Sequence, residues 1–444
     1  MRIIMNYPKK YIVLVLMSAL VLTLIPADCL QAAKKVSLSV KKLTVTVGKS
    51  RTIKLKNNTK KVKWTVASGK KYVKLKSKKK NSVKIVGIKK GIAKVQAKIG
   101  RKKYVCKVTV KKLSYKIPAD YSKKDVTALR KIIDQQKKKN KKIGLEPITD
   151  ERMYTWEKGR LTGIDWKGIL LVLKGELDFS GLTALRKLNI NDSKVTKLNV
   201  SKNTALQVLY CDDGKLKNLD VSKNTALTHL ACRSNQLKNL DVSKNTALEH
   251  LSFYDNPLTN LDVSKNTALQ ILYCGDGKLK NLDVSKNTAL KHLYCNNNQL
   301  KNLDVSKNTA LEELICSVNQ LTSLDVSRNV ALKGVLNCSG NQLKSLDVSW
   351  NVALKRLLCN ANQLTSLDVS RNTALEYLTC SYNQISQLDL SKSVNLRELV
   401  CYYNEITVLD ARNTTDLRVQ CDKGVEVKPG KGKWKLFQGG PVIK

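Results

Sequence analysis

One unit, L-D-V-S-K-N-T-A-L, returns along the second half of the chain at a fixed interval. Asp220, Asp241, Asp262, Asp283, Asp304 and Asp325 are 21 residues apart, and Asp347, Asp368, Asp389 and Asp410 continue the series after one residue is inserted near Gly334. A unit this short cannot bury its own apolar face, so the repeats must stack as the coils of a solenoid, each covering the next.

The repeat assigns its own inside and outside. Leu206, Leu209 and Cys211 have the spacing that turns one side of a short strand inward. The same place is taken by Cys232, Cys274, Cys295, Cys316, Cys338, Cys359, Cys380 and Cys401 in later copies, and by Phe253 in one. That exchange shows a demand for apolar bulk rather than for sulfur chemistry. Asn235 and its equivalents form an inward column whose amides can satisfy backbone groups at each turn, and Asn224 begins a second. Equivalent cysteines on stacked coils lie ~4.8 Å apart and point the same way, whereas a disulfide needs Cβ atoms ~3.8 Å apart. Buried free thiols are therefore expected. A metal needs four converging ligands, and these stand in single file, so no metal or other cofactor is expected.

Around this fixed frame three positions per copy drift, flanking the inward Leu and Cys, and their side chains are expected to point out. They bring Tyr210, His229, Arg233, His250, Tyr254, Tyr273, His292, Tyr294, Arg356, Tyr377 and Tyr402 onto one face, with Asp212 and Ser381 among the smaller members. All three histidines of the chain fall in one column. Neutral drift would favour Lys, Ser and Glu. Tyr and Arg are residues that interfaces favour, so the face reads as a ligand-binding surface. His229 and His250 as a zinc pair have no clear third ligand; a pH dependence of binding fits them better. The aspartate column suggests calcium, but an Asp with a Lys or Arg three residues on in most copies reads more simply as a turn residue that bonds backbone amides.

The consensus L-x-x-L-x-C-x-x-N-x-L-x-x-L-D-V-S-x-N-T-A resembles the leucine-rich repeats of bacterial internalin-type surface proteins, particularly those with cysteine at a core position. The resemblance covers roughly residues 181–421. Residues 113–180, with a helical pattern in DVTALRKIIDQQ, resemble an N-terminal cap that covers the first open coil. Ser122 or Asp125 is placed to start that helix. Residues 422–444 read as a basic tail.

The front of the chain has a different chemistry. Arg2, Lys9 and Lys10 precede an apolar run, Tyr11 to Ile25, and then Ala32 and Ala33, which is the pattern of a secretory signal peptide over residues 1–33. No later stretch is apolar enough to cross a bilayer. From Lys34 to Lys116 there are thirty Lys or Arg and no Asp or Glu, about two thirds of a net charge of +46. Residues 36–112 alternate apolar and basic in short runs such as KLTVTV, RTIKLK and AKVQAKI, which predicts seven or eight half-buried strands in a β-sandwich with Trp64 in its core. LTVTVGKSRTIKLK, VKWTVASGKKYVKLK and VGIKKGIAKVQAKI resemble a group 2 bacterial immunoglobulin-like domain. Such domains act as stalks, spacers or adhesive units, although a total lack of acids departs from an inert spacer. Three readings of the lysine coat stand: retention on an anionic cell-wall polymer, a neutral solvent coat, and nucleic-acid binding. The last ranks lowest because exposed aromatics for base stacking are missing.

The expectation is thus a mainly β protein: an Ig-like β-sandwich, then a leucine-rich-repeat solenoid with a small helical cap. It would be exported by a bacterium, Gram-positive in type, secreted or surface-associated, and monomeric. It would bind a protein or glycan partner. No motif brings a nucleophile, base and orienting group together, so no catalytic residue and no enzyme activity are expected. The alternative is a structural cell-wall protein without a specific ligand.

Overall fold

The computed structural model describes residues 34–111, 117–140, 143–168 and 173–439. The signal segment expected over residues 1–33 lies outside the described residues. The chain divides into two compact units, Met1–Lys116 and Ile117–Lys444.

The described residues of the first unit form eight strands: β1 (Ser37–Leu38), β2 (Lys42–Thr46), β3 (Ser50–Lys56), β4 (Lys63–Ser68), β5 (Val73–Lys79), β6 (Ser82–Gly87), β7 (Gly91–Ile99) and β8 (Lys102–Lys111). They form two four-stranded sheets, in the orders β1-β3-β6-β5 and β2-β8-β7-β4. The period-2 alternation decides which side of each strand is buried. Ile53, Val83 and Ile85 from one sheet and Trp64, Val95, Cys106 and Val108 from the other make one core. Trp64 is buried, and its indole N–H donates to the Lys79 carbonyl at 3.1 Å, tying β4 to β5 of the other sheet. Ile92 and Val105 break the alternation and lie exposed.

The second unit begins with α1 (Lys123–Lys139). Ser122, not Asp125, caps it, accepting from the Asp125 N–H at 3.2 Å. Asp125 is fully buried instead, where it accepts from Arg160 Nε at 2.7 Å and from the Leu161 N–H at 3.0 Å. The apolar stripe Val126, Leu129, Ile132 and Ile133 is buried, and Gln136 exchanges two hydrogen bonds with the Lys174 backbone on the first coil.

From there the chain winds as a solenoid. One parallel ladder runs from Lys187–Asn189 through Val208–Tyr210, His229–Ala231 and each later copy to Arg418–Cys421, inside a 15-stranded sheet. The expected basic tail is not free over its first part. Glu426–Lys428 pairs with Val408–Asp410, and Lys435–Gln438 pairs with Arg418–Cys421, so the coil pattern continues beyond residue 421. The inserted residue before Val335 is absorbed at the strand entrance. Lys333 and Gly334 both donate to the Glu312 carbonyl, at 3.2 and 3.1 Å, after which Leu314 and Leu336 pair in the common register.

The interior is built from columns. Every cysteine of the nine expected is buried and free. Cys421 is a further rung that the 21-residue period hides, because it lies 20 residues after Cys401; Val419, paired with Leu399, fixes the equivalence. Burial pushes these thiols up, Cys338 and Cys380 to about 12, which leaves them unreactive small apolar groups. In the strand column Asn298 donates to the carbonyls of Cys274 at 2.9 Å and Cys295 at 3.1 Å, and accepts from the Leu279 N–H at 2.9 Å. In the second column Asn287 donates to Val263 and Asn266 at 3.0 and 2.8 Å, but its own side-chain oxygen is unpartnered.

Candidate binding face

The strand face is set by register. His229 pairs with His250, His250 with Ile271, and Ile271 with His292, so the three imidazoles stand in one column on the outside of the coil. In the next outward column are Tyr210, Ala231, Ser252, Tyr273 and Tyr294. The alternation of large and small residues is what shapes the surface. Ala231 and Ser252 leave a gap between Tyr210 and Tyr273. The result is a notch of about 200 Å³ lined by Tyr210, His229, Arg233, His250, Ile271 and Tyr273, with the two small residues as its floor.

Its walls are held by contacts between rungs. The rings of His229 and His250 lie 4.3 Å apart, and His229 Nδ1 is 2.9 Å from Thr228 Oγ1, which leaves Nε2 as the free nitrogen. Burial lowers the His250 pKa, the neighbouring His229 lowers it further, and Glu249 opposes both. Arg233 is half-exposed and anchored. Its Nη2 donates to Asp212 Oδ2 at 2.8 Å and its backbone N–H to Asp212 Oδ1 at 2.8 Å. Asp212 was expected to face outward. It is buried, because Asn191 of the preceding rung and Arg233 of the following rung both donate to its carboxylate. Ser381, placed outward by the same spacing, is also buried.

Beyond the notch Tyr273 and Tyr294 pack at 4.7 Å between centroids. Glu313 accepts from the Tyr294 hydroxyl and lies 3.4 Å from His292 Nδ1. Burial, then the Glu313 bond, pushes the Tyr294 phenol well up, so it stays a neutral donor. Tyr254 is raised first by its hydrogen bond to Asp276. Arg356 stacks on Tyr377 at 4.7 Å, as a cation over a ring.

The expected face residues therefore fall into three groups along the ladder. Tyr210, His229, Arg233, His250 and Tyr273 share the notch, with Tyr254 on the rung of His250, and His292 and Tyr294 on the rung after Tyr273. Arg356 and Tyr377 form a separate pair. Tyr402 belongs to a cluster that the three-position pattern missed. Tyr382 stacks on Tyr403 at 4.5 Å, and Tyr402 meets both edge-on, at 5.6 and 5.5 Å. Tyr382 and Tyr403 occupy the left-handed position, φ 56° each, that Asp213, Asp255, Asp276 and Asn297 hold in other coils. The signal was two tyrosines in successive copies of a column that elsewhere holds Asp213, Ser234, Asp255, Asp276, Asn297, Val318, Gly340 and Ala361.

The opposite, repeated turn works differently. Asp262 Oδ1 accepts from the Ser264 N–H at 2.8 Å, and Asp220, Asp241, Asp283 and Asp304 repeat the bond at 2.8–2.9 Å. That bond first, and the following lysine to a lesser degree, holds these carboxyls below their usual range. Among the described residues no group of three or more His, Cys, Asp or Glu side chains converges on a metal position.

Two L-x-x-L halves per coil, a parallel strand ladder on one side and an asparagine column inside it decide the architecture. The second unit is a leucine-rich-repeat solenoid. Comparison with solved structures finds the functional domain of InlJ from Listeria monocytogenes, which includes a cysteine ladder, at 34% identity over 59% of this chain and 68% of that one, with a TM-score of 0.47. An internalin, InlF, from the same organism matches at 21% identity, 59% and 82% coverage and a TM-score of 0.49. YopM, a leucine-rich effector protein from Yersinia pestis, matches at 23%, 60%, 74% and 0.44. No protein-family profile and no curated protein matches the chain. No helix among the described residues is long and apolar enough to cross a membrane.

Proposed function

We propose that the solenoid binds a protein or glycan partner through its strand face, as the non-enzymatic recognition element of an exported, adhesion-type bacterial surface or secreted protein. The observation that supports this most is the notch between Tyr210 and Tyr273. It combines ring faces, imidazole nitrogens and an anchored guanidinium around an apolar floor, the mixture of apolar body and oriented polar groups that binding pockets use. Aromatic anchors with two rotatable bonds supply contact area at small entropic cost. The first unit, resembling a group 2 immunoglobulin-like domain, serves as a spacer or as an electrostatic tether to an anionic cell wall.

Filling the notch tests the reading. Ala231→Phe fills the cavity from the half-buried part of its floor and leaves the buried Ser252 untouched. Binding on a glycan array and to a panel of surface proteins is expected to lose its discrete hits. The control, Lys244→Gln with Lys265→Gln on the repeated turn, keeps them. Hits unchanged by the filled notch would overturn the proposal.

A further inference from the structure

The eight-stranded unit carries thirty cations and no acid between residues 34 and 116, yet its lysines are not evenly laid out. In the sheet β2-β8-β7-β4 they fall into rows across the strands. Lys42 pairs with Lys107, and Lys107 with Lys94, making one row of three. Lys63 pairs with Lys98, and Lys98 with Lys103, making a second. All six are exposed. In the other sheet the register gives one such pair, Lys76 with Lys84, while Lys54 and Lys79 face Ser82 and Lys84 faces Thr52.

Alternation alone explains why lysines point outward. It does not explain two rows of three in direct register, because like charges directly opposite one another on neighbouring strands repel. No Asp or Glu between residues 34 and 116 relieves that repulsion. Along β7 and β8 the rows are four residues apart, ~13 Å at the rise of a strand. Between them run Val105, Gln96 and Thr65 in register, with Val105 exposed. The face is therefore two cationic tracks flanking an uncharged strip.

We propose that this face binds a linear polyphosphodiester without bases, its phosphates on the lysine rows and its aliphatic linkers over the strip. The inference rests on the tether reading and adds which face does the work and for which polymer. Lysines read charge as mobile point donors, whereas bidentate recognition of a fixed group calls for arginine, and the six positions are all lysine. Stacking platforms for bases are absent from the described residues of the unit: Trp64 is buried, and Tyr72 and Tyr104 pack against the core.

The test uses the full chain and poly(glycerol phosphate) as the probe, titrated from low to physiological salt. One variant carries Lys94→Gln, Lys98→Gln, Lys103→Gln and Lys107→Gln; its control carries Lys54→Gln, Lys56→Gln, Lys74→Gln and Lys76→Gln on the other sheet. The first is expected to lose at least ten-fold in affinity and to flatten the log–log salt slope by about 3, four phosphate contacts at ~0.7 each for a single strand. The control loses several-fold less. The first variant should also melt higher than the parent chain, since repulsion is relieved, so its lost binding is not unfolding. Equal losses in the two variants would overturn the assigned face and leave the tether reading standing. No binding by the parent chain at low salt would overturn both. Tighter binding of an oligothymidylate of matched charge would overturn the base-free ligand.

Discussion

The two outward sides of the coil obey opposite rules. On the repeated turn Asp262 bonds the Ser264 amide, and the same bond recurs in neighbouring copies, so the side chain is part of the coil that carries it. On the strand face the contacts run from rung to rung instead: His229 with His250, Tyr273 with Tyr294, Arg356 with Tyr377. A residue that closes its own turn cannot change without loosening that turn. One that only touches its neighbour can change freely unless something outside the coil requires it. Repetition thus marks where folding uses a side chain, and variation marks where folding has left it available.

The largest effect should come from the interior that both sides share. Asn298→Ala strips the amide donor from the Cys274 carbonyl and leaves the Leu279 N–H unpaired, while the Cys295 carbonyl keeps its bond from Asn319. At ~1–3 kcal/mol for each buried group so orphaned, the expected loss is about 3 kcal/mol, read by urea unfolding. Asn287→Ala removes donors alone, because its acceptor was never used, and should cost about half as much. Equal costs would show that the two columns do not differ as their hydrogen bonds imply.

Next in size is the thiol ladder. Cys295→Ser puts a hydroxyl where an apolar group packs and should cost ~1–3 kcal/mol, whereas Cys295→Ala loses only volume. A disulfide-blocked ladder would show no free thiols in denaturing, non-reducing titration; full reactivity on unfolding and almost none before it is expected.

Much of this was legible from the chain alone. The 21-residue period placed the histidines in one column and the cysteines inside, because stacking in register leaves a repeated position no other choice. What escaped depended on contacts between rungs or on a changed period. Cys421 was hidden by a 20-residue spacing, and Asp212 was placed outside because no sequence pattern shows that Asn191 and Arg233 would both turn toward it. Tyr382 and Tyr403 sit one residue past the strand face, in a turn position where side chains still reach the same surface cluster. The lysine rows needed strand register, which alternation does not supply.

Acid separates the two sides further. Asp220, Asp241, Asp262, Asp283, Asp304, Asp325 and Asp368 are held below their usual range, and Asp410 to about 2, by hydrogen bonds made only in the folded coil. A lowered carboxyl adds stability that is present at neutral pH and lost as pH falls through its folded value. Melting temperature should hold down to about pH 4 and then fall, and Asp262→Asn should blunt the fall slightly. The smallest effect belongs to the strand face. His250 resists protonation when folded, so stability drops a little as pH falls below about 6.5, and His250→Gln should remove that slope.

The most direct test sets the two sides against each other in one binding measurement. Full-length chains carrying Tyr210→Ala with Tyr273→Ala on the strand face, or Lys244→Gln with Lys265→Gln on the turn, are compared with the parent on the same glycan and surface-protein panel. The account predicts that the strand-face variant stays folded and loses the parent's hits while the turn variant keeps them. Hits kept by the first and lost by the second would contradict it.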